Sequence, residues 1–136
     1  MAELNIEIIS PEKPVYKDSI ESVTIPGTLG SFQILRDHAP LLSSFDIGII
    51  KVKTDSKEDY FSTSGGTVEV NNNNVLVLAD SIEKVGNIDE DRAEKARQRA
   101  EERLRKKNEE AIDEARAKAA LNRALNRLNA VKKYSN

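Results

Sequence analysis

"NIDEDRAEKARQRAEERL", residues 87–104, marks the point at which one kind of sequence gives way to another. All six glycines and all four prolines lie at or before Gly86, so the fifty residues that follow contain neither helix breaker. A segment without either is free to be helical throughout. Asn87, or Asp89 one turn later, is a suitable N-cap, and Asp89, Glu90 and Asp91 set negative charge at the positive end of a helix dipole. Ala93, Ala96, Ala100 and Leu104 then recur at spacings of 3, 4 and 4, a narrow stripe of small side chains.

The helical pattern pauses at "RKKNEEAID", residues 105–113. Lys106 and Lys107 suit a helix C-terminus, Asn108 a cap, and Glu109, Glu110, Asp113 and Glu114 the first turn of a second helix. Ala117, Leu121, Ala124, Leu125, Leu128 and Val131 form the apolar stripe of that helix. The expectation is a helical hairpin of two segments, about 88–107 and 110–131. At about 0.8 kcal/mol per buried methylene an alanine-rich seam contributes little, so the hairpin should be held marginally.

Upstream of Gly86 the chain reads as short runs of β-formers bounded by breakers: "LNIEII", "SIESVTI", "SFQIL", "GIIKVKT", "DYFST", "TVEV" and "NVLVLA". Leu4, Ile6 and Ile8 share one face, as do Val68 and Val70, while "VLVLA" is apolar on both and suits an interior strand. "NNNN" between Val70 and Val75 is a hairpin turn signal, because asparagine tolerates the left-handed conformation. The fold class that results is α+β: an N-terminal antiparallel β-sandwich or barrel of short strands, residues 1–86, followed by a C-terminal antiparallel two-helix hairpin, residues 87–136.

Composition narrows the function. With no cysteine, disulfides, thiolate metal sites and thiol nucleophiles are excluded. His38 is the only histidine, so a His-rich metal site is excluded, and a Ser/His/Asp triad would have to be built on a loop residue followed by Ala-Pro. "SGGTVEV" lacks the Gly-Lys-Ser/Thr of a phosphate loop, and its glycines suit a tight turn or a close approach between strands. No catalytic or metal-binding residue is expected. No apolar run nears the roughly 20 residues that cross a bilayer, so the chain is expected to be soluble or to meet a membrane only through a partner.

Charge is unevenly divided. Residues 1–86 hold 7 basic and 13 acidic residues, net −6, whereas residues 87–136 hold 14 and 10, net +4. From Arg116 onward there are Arg116, Lys118, Arg123, Arg127, Lys132 and Lys133 and no acid. A basic end suggests an anionic partner. On the helices, Asp89, Arg92 and Arg99 line up at spacings of 3 and 7, and Arg123 and Arg127 lie one turn apart. In an antiparallel hairpin facing positions share an index sum; the pair 92/127 gives 219 and 99/123 gives 222, so a turn near Glu109 and Glu110 brings four guanidinium groups toward one groove. Such a groove suits a polyphosphate, held by charge-assisted bidentate hydrogen bonds, with Asp89 taking a sugar hydroxyl or adenine amine or orienting an arginine. The competing reading is a solvated face in which each arginine pairs with glutamate one turn away. A nucleic-acid module using the basic helix is a further alternative, weakened by the acidic strands and by only three tyrosines and three phenylalanines.

Three stretches, "GSFQILRDHAPLLSSFDIGIIKV", "STSGGTVEVNNNNVLVLAD" and "IDEDRAEKARQRAEERL" followed by "ARAKAALNRALNRL", together resemble the epsilon subunit family of F-type, proton-translocating ATP synthases. His38, Ala39, Pro40 and Leu41 match the family's His-Ala-Pro-Leu, while Ser31 stands for an acidic residue, Gln33 for glycine and Arg36-Asp37 for Pro-Gly. The resemblance implies a non-catalytic central-stalk subunit whose β-sandwich binds the gamma subunit and the ring of c subunits, with Ser31 and His38 at that interface. It implies a hairpin that is compact when it permits rotation and that, when extended along gamma, reaches the alpha/beta catalytic head and blocks ATP hydrolysis, the basic residues from Arg116 to Lys133 facing acidic surface. The family's nucleotide motif, Ile/Leu-Asp-x-x-Arg-Ala, matches Ile88, Asp89, Arg92 and Ala93; Arg99, Arg123 and Arg127 fall where further phosphate contacts lie, and Glu83 where an edge residue does. ATP is thus implied as a regulatory ligand, with no catalytic cofactor and no nucleic acid. A peripheral position on the cytoplasmic face of a bacterial inner membrane is implied through the complex, the stromal face of a plastid thylakoid being the alternative. A hairpin that docks on protein without sensing nucleotide has the same fold.

Overall fold

A computed structural model describes residues 3–106 and 114–134. The chain divides into two compact units, Met1–Lys84 and Val85–Asn136.

In the first unit ten short strands are described: β1 (Leu4–Ile9), β2 (Pro14–Ile20), β3 (Ser22–Gly27), β4 (Gly30–Leu35), β5 (Leu41–Phe45), β6 (Gly48–Lys53), β7 (Glu58–Thr63), β8 (Gly66–Asn71), β9 (Asn74–Ala79) and β10 (Ile82–Lys84). They form one sheet in the order β10-β7-β6-β3-β5-β8-β9-β1-β2, with β4 paired to β3 outside this path. Pairing is antiparallel throughout the described residues save for β1 beside β9, which run parallel. These two strands are far apart in sequence, so no hairpin dictates their direction. The sheet folds on itself around Leu4, Ile6, Ile8, Val23, Ile25, Ile34, Ile50, Val52, Phe61, Val68, Val70 and Val77, all buried. The alternation in β1 and β8 faces this core as the sequence requires.

β2, at one end of the sheet order, meets β7, the strand next to the other end. Tyr16 on β2 lies against Phe61 on β7 with ring centroids 5.4 Å apart, and nearly closes the sandwich into a barrel.

Turn chemistry fixes the register. Asn72 and Asn73 both have positive φ, 49° and 62°, and join β8 to β9 in the two-residue turn whose twist matches that of strands. Asp37, φ 64°, is the third residue of the turn closed by the His38 N–H donating to the Leu35 carbonyl at 3.2 Å. This is where a Pro-Gly pair would supply the same geometry. Asp37 adopts it with help from Asn73, whose side-chain oxygen accepts from the Asp37 N–H at 2.6 Å and whose amide donates to the Asp37 carboxylate at 3.2 Å. At Gly66 an added Cβ would come within 2.1 Å of the Leu78 carbonyl oxygen, so the second glycine of "SGG" permits a close approach of β8 and β9.

Two expectations about the strands change. "SIESVTI" is not one strand: Glu21 separates β2 from β3. "VLVLA" is interior in the sheet, between β1 and β8, yet Leu78 is exposed, so only Val75, Val77 and Ala79 face the core.

The second unit opens with one 3-10 turn (Val85–Asn87), followed by α1 (Glu90–Arg105) and α2 (Glu114–Tyr134), packed together as an antiparallel hairpin. The Asp89 carboxylate accepts from the Arg92 N–H at 3.0 Å, so Asp89, rather than Asn87, caps α1. Lys106 ends it, its N–H donating to the Glu102 carbonyl. The expected turn and cap residues Lys107, Asn108, Glu109, Glu110 and Asp113 lie outside the described residues. Ala93 and Ala100 on α1 and Ala117, Ala124 and Ala130 on α2 are buried. An index sum of 217 sets Ala93 level with Ala124 and Ala100 level with Ala117, accounting for four of the five buried alanines.

Candidate functional site

The hairpin register locates the four arginines. With positions summing to 217 level with one another, Arg92 and Arg127 are offset along the axis by about 3 Å and Arg99 and Arg123 by about 7.5 Å, at 1.5 Å per residue. Both offsets are within the reach of long, flexible side chains. Arg92, Arg99 and Arg123 are exposed and Arg127 half-buried.

Each is poorly placed for a carboxylate on its own helix. α2 carries no acid after Glu114, so Arg123 and Arg127 have none one turn away. Arg92 has only Asp89, already engaged as the cap, and the acid nearest Arg99, Glu102, pairs with Lys106 at 3.1 Å. Among the described residues Arg92, Arg99 and Arg123 form no ion pair. The solvated-face alternative, which needs glutamate partners, is met instead by Arg97. That guanidinium binds Glu94 and, at 2.7 Å, Glu101. The hydrogen bond from Arg97 is the chief cause that holds the Glu94 carboxyl below the usual carboxylate range, and the pair of glutamates raises the Arg97 pKa. Arg97 escaped the sequence analysis, although the Glu-x-x-Arg-x-x-x-Glu spacing that creates its pairs is visible there.

The remaining motif residues have structural duties. Ala93 is 1% exposed in the seam, where its small side chain allows the helices to approach. Ile88 is half-buried, and its N–H donates to the Val85 carbonyl. Glu83 belongs to the first unit, on β10 opposite Ser62. On α2, Arg116, Lys118, Lys132 and Lys133 are exposed; Lys118 pairs with Glu114 at 3.3 Å, and Lys133 lies over the Tyr134 ring.

In the first unit, Ser31 is exposed on β4. His38 is half-buried, its Nδ1 2.7 Å from the Ala39 carbonyl oxygen. A cavity of about 760 Å³ in the sandwich is lined by Glu3, Asp18, Glu21, Asp37 and Asp55 beside Arg36 and Lys57, a net-acidic set unsuited to phosphate. No group of three or more acids and histidines able to hold a metal occurs among the described residues. None of the described helices is long and apolar enough to cross a membrane.

A further cluster was missed in sequence. The Asp59 carboxylate, buried on β7, lies 3.6 Å from Lys57 Nζ and 3.4 Å from Lys84 Nζ, and within reach of the Tyr16 hydroxyl. It is an internal tie for β10 and β2 and presents no open site.

Comparison with known proteins agrees with this division. Residues 3–85 match the β-sandwich domain of the ATP synthase delta/epsilon chain and residues 87–132 its long α-helix domain. The chain is 45% identical over 127 residues to the ATP synthase epsilon chain of Desulfitobacterium hafniense, which covers 93% of this chain and 95% of that one. The epsilon chain of Bacillus pumilus is 39% identical over 133 residues, 98% of this chain and 100% of that one. In fold it matches a chain of the Euglena gracilis mitochondrial ATP synthase, solved with OSCP, F1 and c-ring, with a TM-score of 0.80 at 20% identity over 96% of this chain and 82% of that chain. With both domains matched and close relatives covered nearly end to end, the chain belongs to the ATP synthase delta/epsilon family, as an epsilon-type, non-catalytic subunit of that complex.

Proposed function

We propose that this subunit couples gamma to the c-ring through its β-sandwich, and that its hairpin is an ATP-sensing inhibitor of hydrolysis. The observation that supports the nucleotide part is that Arg92, Arg99 and Arg123 make no ion pair among the described residues, while helical spacing turns them and Arg127 to one side of the hairpin. Guanidinium groups gathered in this way repel one another, and a triphosphate relieves that repulsion while joining two helices whose seam is mainly alanine. A ligand that binds only the compact hairpin at one hundred times its dissociation constant stabilises it by about 2.7 kcal/mol, enough to reverse a marginal equilibrium. When ATP is scarce the hairpin opens, and the basic face of α2 turns to acidic surface on the catalytic head.

Calorimetric titration of ATP into the chain, with Arg92→Ala and Arg127→Ala beside it, tests the clamp. Saturable binding that both substitutions abolish supports it, and no heat at millimolar ATP overturns it. Within the complex, deletion of residues 87–136 should raise ATP hydrolysis while leaving proton transport coupled; unchanged hydrolysis removes the inhibitory role. A hairpin that docks on protein without nucleotide is then the reading that stands.

A further inference from the structure

Rotation round each helix sorts the charges of the hairpin. At about 100° per residue, Arg92, Arg99 and Arg103 lie about 80–120° to one side of the seam residue Ala93. Arg116, Arg123 and Arg127 lie as far round, in the same sense, from Ala117. Antiparallel helices whose seams face each other turn equal rotations to the same side, so the six arginines share one flank of the hairpin. The acids do not. Glu90, Glu94 and Glu101 fall on the other flank of α1, Asp91 and Glu102 on its outer face, and Glu114, the one acid of α2, on the other flank again. Of the described acids of the two helices only the cap Asp89 borders the arginine flank.

The acidic flank neutralises itself: Arg97 binds Glu94 and Glu101, and Lys118 binds Glu114 at 3.3 Å. On the arginine flank Arg92, Arg99, Arg103 and Arg123 are exposed and make no ion pair among the described residues. The register that sets Ala93 level with Ala124 sets Arg127, Arg123 and Arg116 level with Glu90, Glu94 and Glu101. The six therefore form two triads along the axis, Arg127, Arg92 and Arg123 within about 6 Å, then Arg99, Arg116 and Arg103 within about 6 Å, with about 7.5 Å between. The whole row is about 20 Å long. A triphosphate at the first triad, with Arg99 reaching back to it, leaves Arg103 and Arg116 beyond its end.

We infer that this flank binds a linear condensed phosphate longer than a triphosphate, laid along the hairpin from Arg127 to Arg103, and that ATP fills only the first part of the same track. The inference rests on the clamp reading above and widens its ligand class. Phosphates repeated along a chain suit guanidinium forks set in a row, each pair making charge-assisted hydrogen bonds. Acidic protein surface fits less well. Between Arg127 and Arg103 this flank carries no apolar side chain larger than alanine, whereas a protein interface is built round an apolar core.

Calorimetric titration of the chain with ATP, tripolyphosphate and a linear polyphosphate of about fifteen units tests the track. One long chain per hairpin should bind at least about tenfold more tightly than tripolyphosphate, and should displace ATP. Arg103→Gln should weaken the long chain at least about fivefold while leaving ATP within about twofold. Arg105→Gln removes the same charge two residues away, on the other side of α1, and should leave both ligands within about twofold. Arg116→Gln probes the second triad again should the first variant lose helicity. Equal affinity for short and long phosphates, equal losses in the Arg103 and Arg105 variants, or a helical Arg103→Gln protein that loses ATP as well would each overturn the inference while the clamp stands. An unaltered chain that binds no ATP would overturn the clamp, and this extension with it.

Discussion

Tyr16 on the end strand β2 and Phe61 on β7, next to the opposite end of the sheet order, meet with ring centroids 5.4 Å apart and planes inclined by 58°. Their contact does what no strand pairing does there: it draws β2 toward β7 and closes the sandwich. The Tyr16 hydroxyl continues toward Asp18 and Asp59, so the closure has an apolar part and a polar one.

The two parts separate by substitution. Tyr16→Ala should cost about 2 kcal/mol, below the range for a fully buried aromatic because this ring is half-exposed, and Tyr16→Phe should cost well under half of that. The Tyr16 pKa is raised from 10.0 to about 12, first by burial and then by the negative charges of Asp18 and Asp59. The fold therefore favours the protonated phenol. Its contribution is complete below pH 10 and is lost as pH rises through about 12, a decline that Tyr16→Phe should flatten. Unfolding midpoints measured across that alkaline range check this, and parallel slopes in the two proteins would refute it.

The second unit should answer to its seam. Ala100 is 3% exposed and, in the register that pairs the buried alanines, faces Ala117. Ala100→Leu inserts three carbons where there is no room and should weaken the hairpin by about 1–3 kcal/mol while leaving the sandwich unchanged. ATP affinity should fall with it, although the residue is not one of the arginines. Helical circular dichroism and calorimetry on the same variant decide: a hairpin that loosens without loss of ATP affinity would separate the seam from the clamp.

Much of this was legible in the sequence because the signals were local. Positive φ at Asn72 and Asn73 is what "NNNN" between two valine runs implies, and the absence of Gly and Pro after Gly86 is enough for two helices. β5 and β10 were not legible. "LLSSF" does not alternate in hydrophobicity and "IEK" is too short for any period, and both are strands because neighbours distant in sequence hydrogen-bond to them. The four arginines could be named but their solvated-face alternative could not be weighed, because the competition for Glu94, Glu101 and Glu102 depends on side-chain placement. The Asp59 cluster depends on closure of the sheet and leaves no spacing to recognise.

The turn at Arg36-Asp37 gives a third prediction. Asp37→Gly keeps the left-handed conformation at no steric cost and keeps the backbone N–H bond to Asn73, losing only the bond that the Asp37 carboxylate accepts, so stability should change by less than about 0.5 kcal/mol. Asn73→Ala loses both bonds to Asp37 and also strains the β8–β9 turn, where Asn73 has φ 62°, and should cost about 1–2 kcal/mol. Denaturant midpoints rank the two, and equal losses would mean that the one bond both variants lose, from the Asn73 amide to the Asp37 carboxylate, outweighs the conformations.

Asp89 stands in the nucleotide motif, yet here its carboxylate caps α1 by accepting from the Arg92 N–H. Asparagine offers the same acceptor without the charge, so Asp89→Asn should preserve the helix, whereas Asp89→Ala should destabilise it by about 1 kcal/mol. If capping is the contribution of Asp89 to the clamp, Asp89→Asn binds ATP within about twofold of the unaltered chain, and Asp89→Ala loses affinity only as far as its helix frays. Circular dichroism and calorimetry on both variants distinguish the roles. An Asp89→Asn protein with full helicity and a tenfold weaker affinity would show that the second carboxylate oxygen meets the ligand itself, at a sugar hydroxyl or an adenine amine, and that the cap is only half of what the residue does.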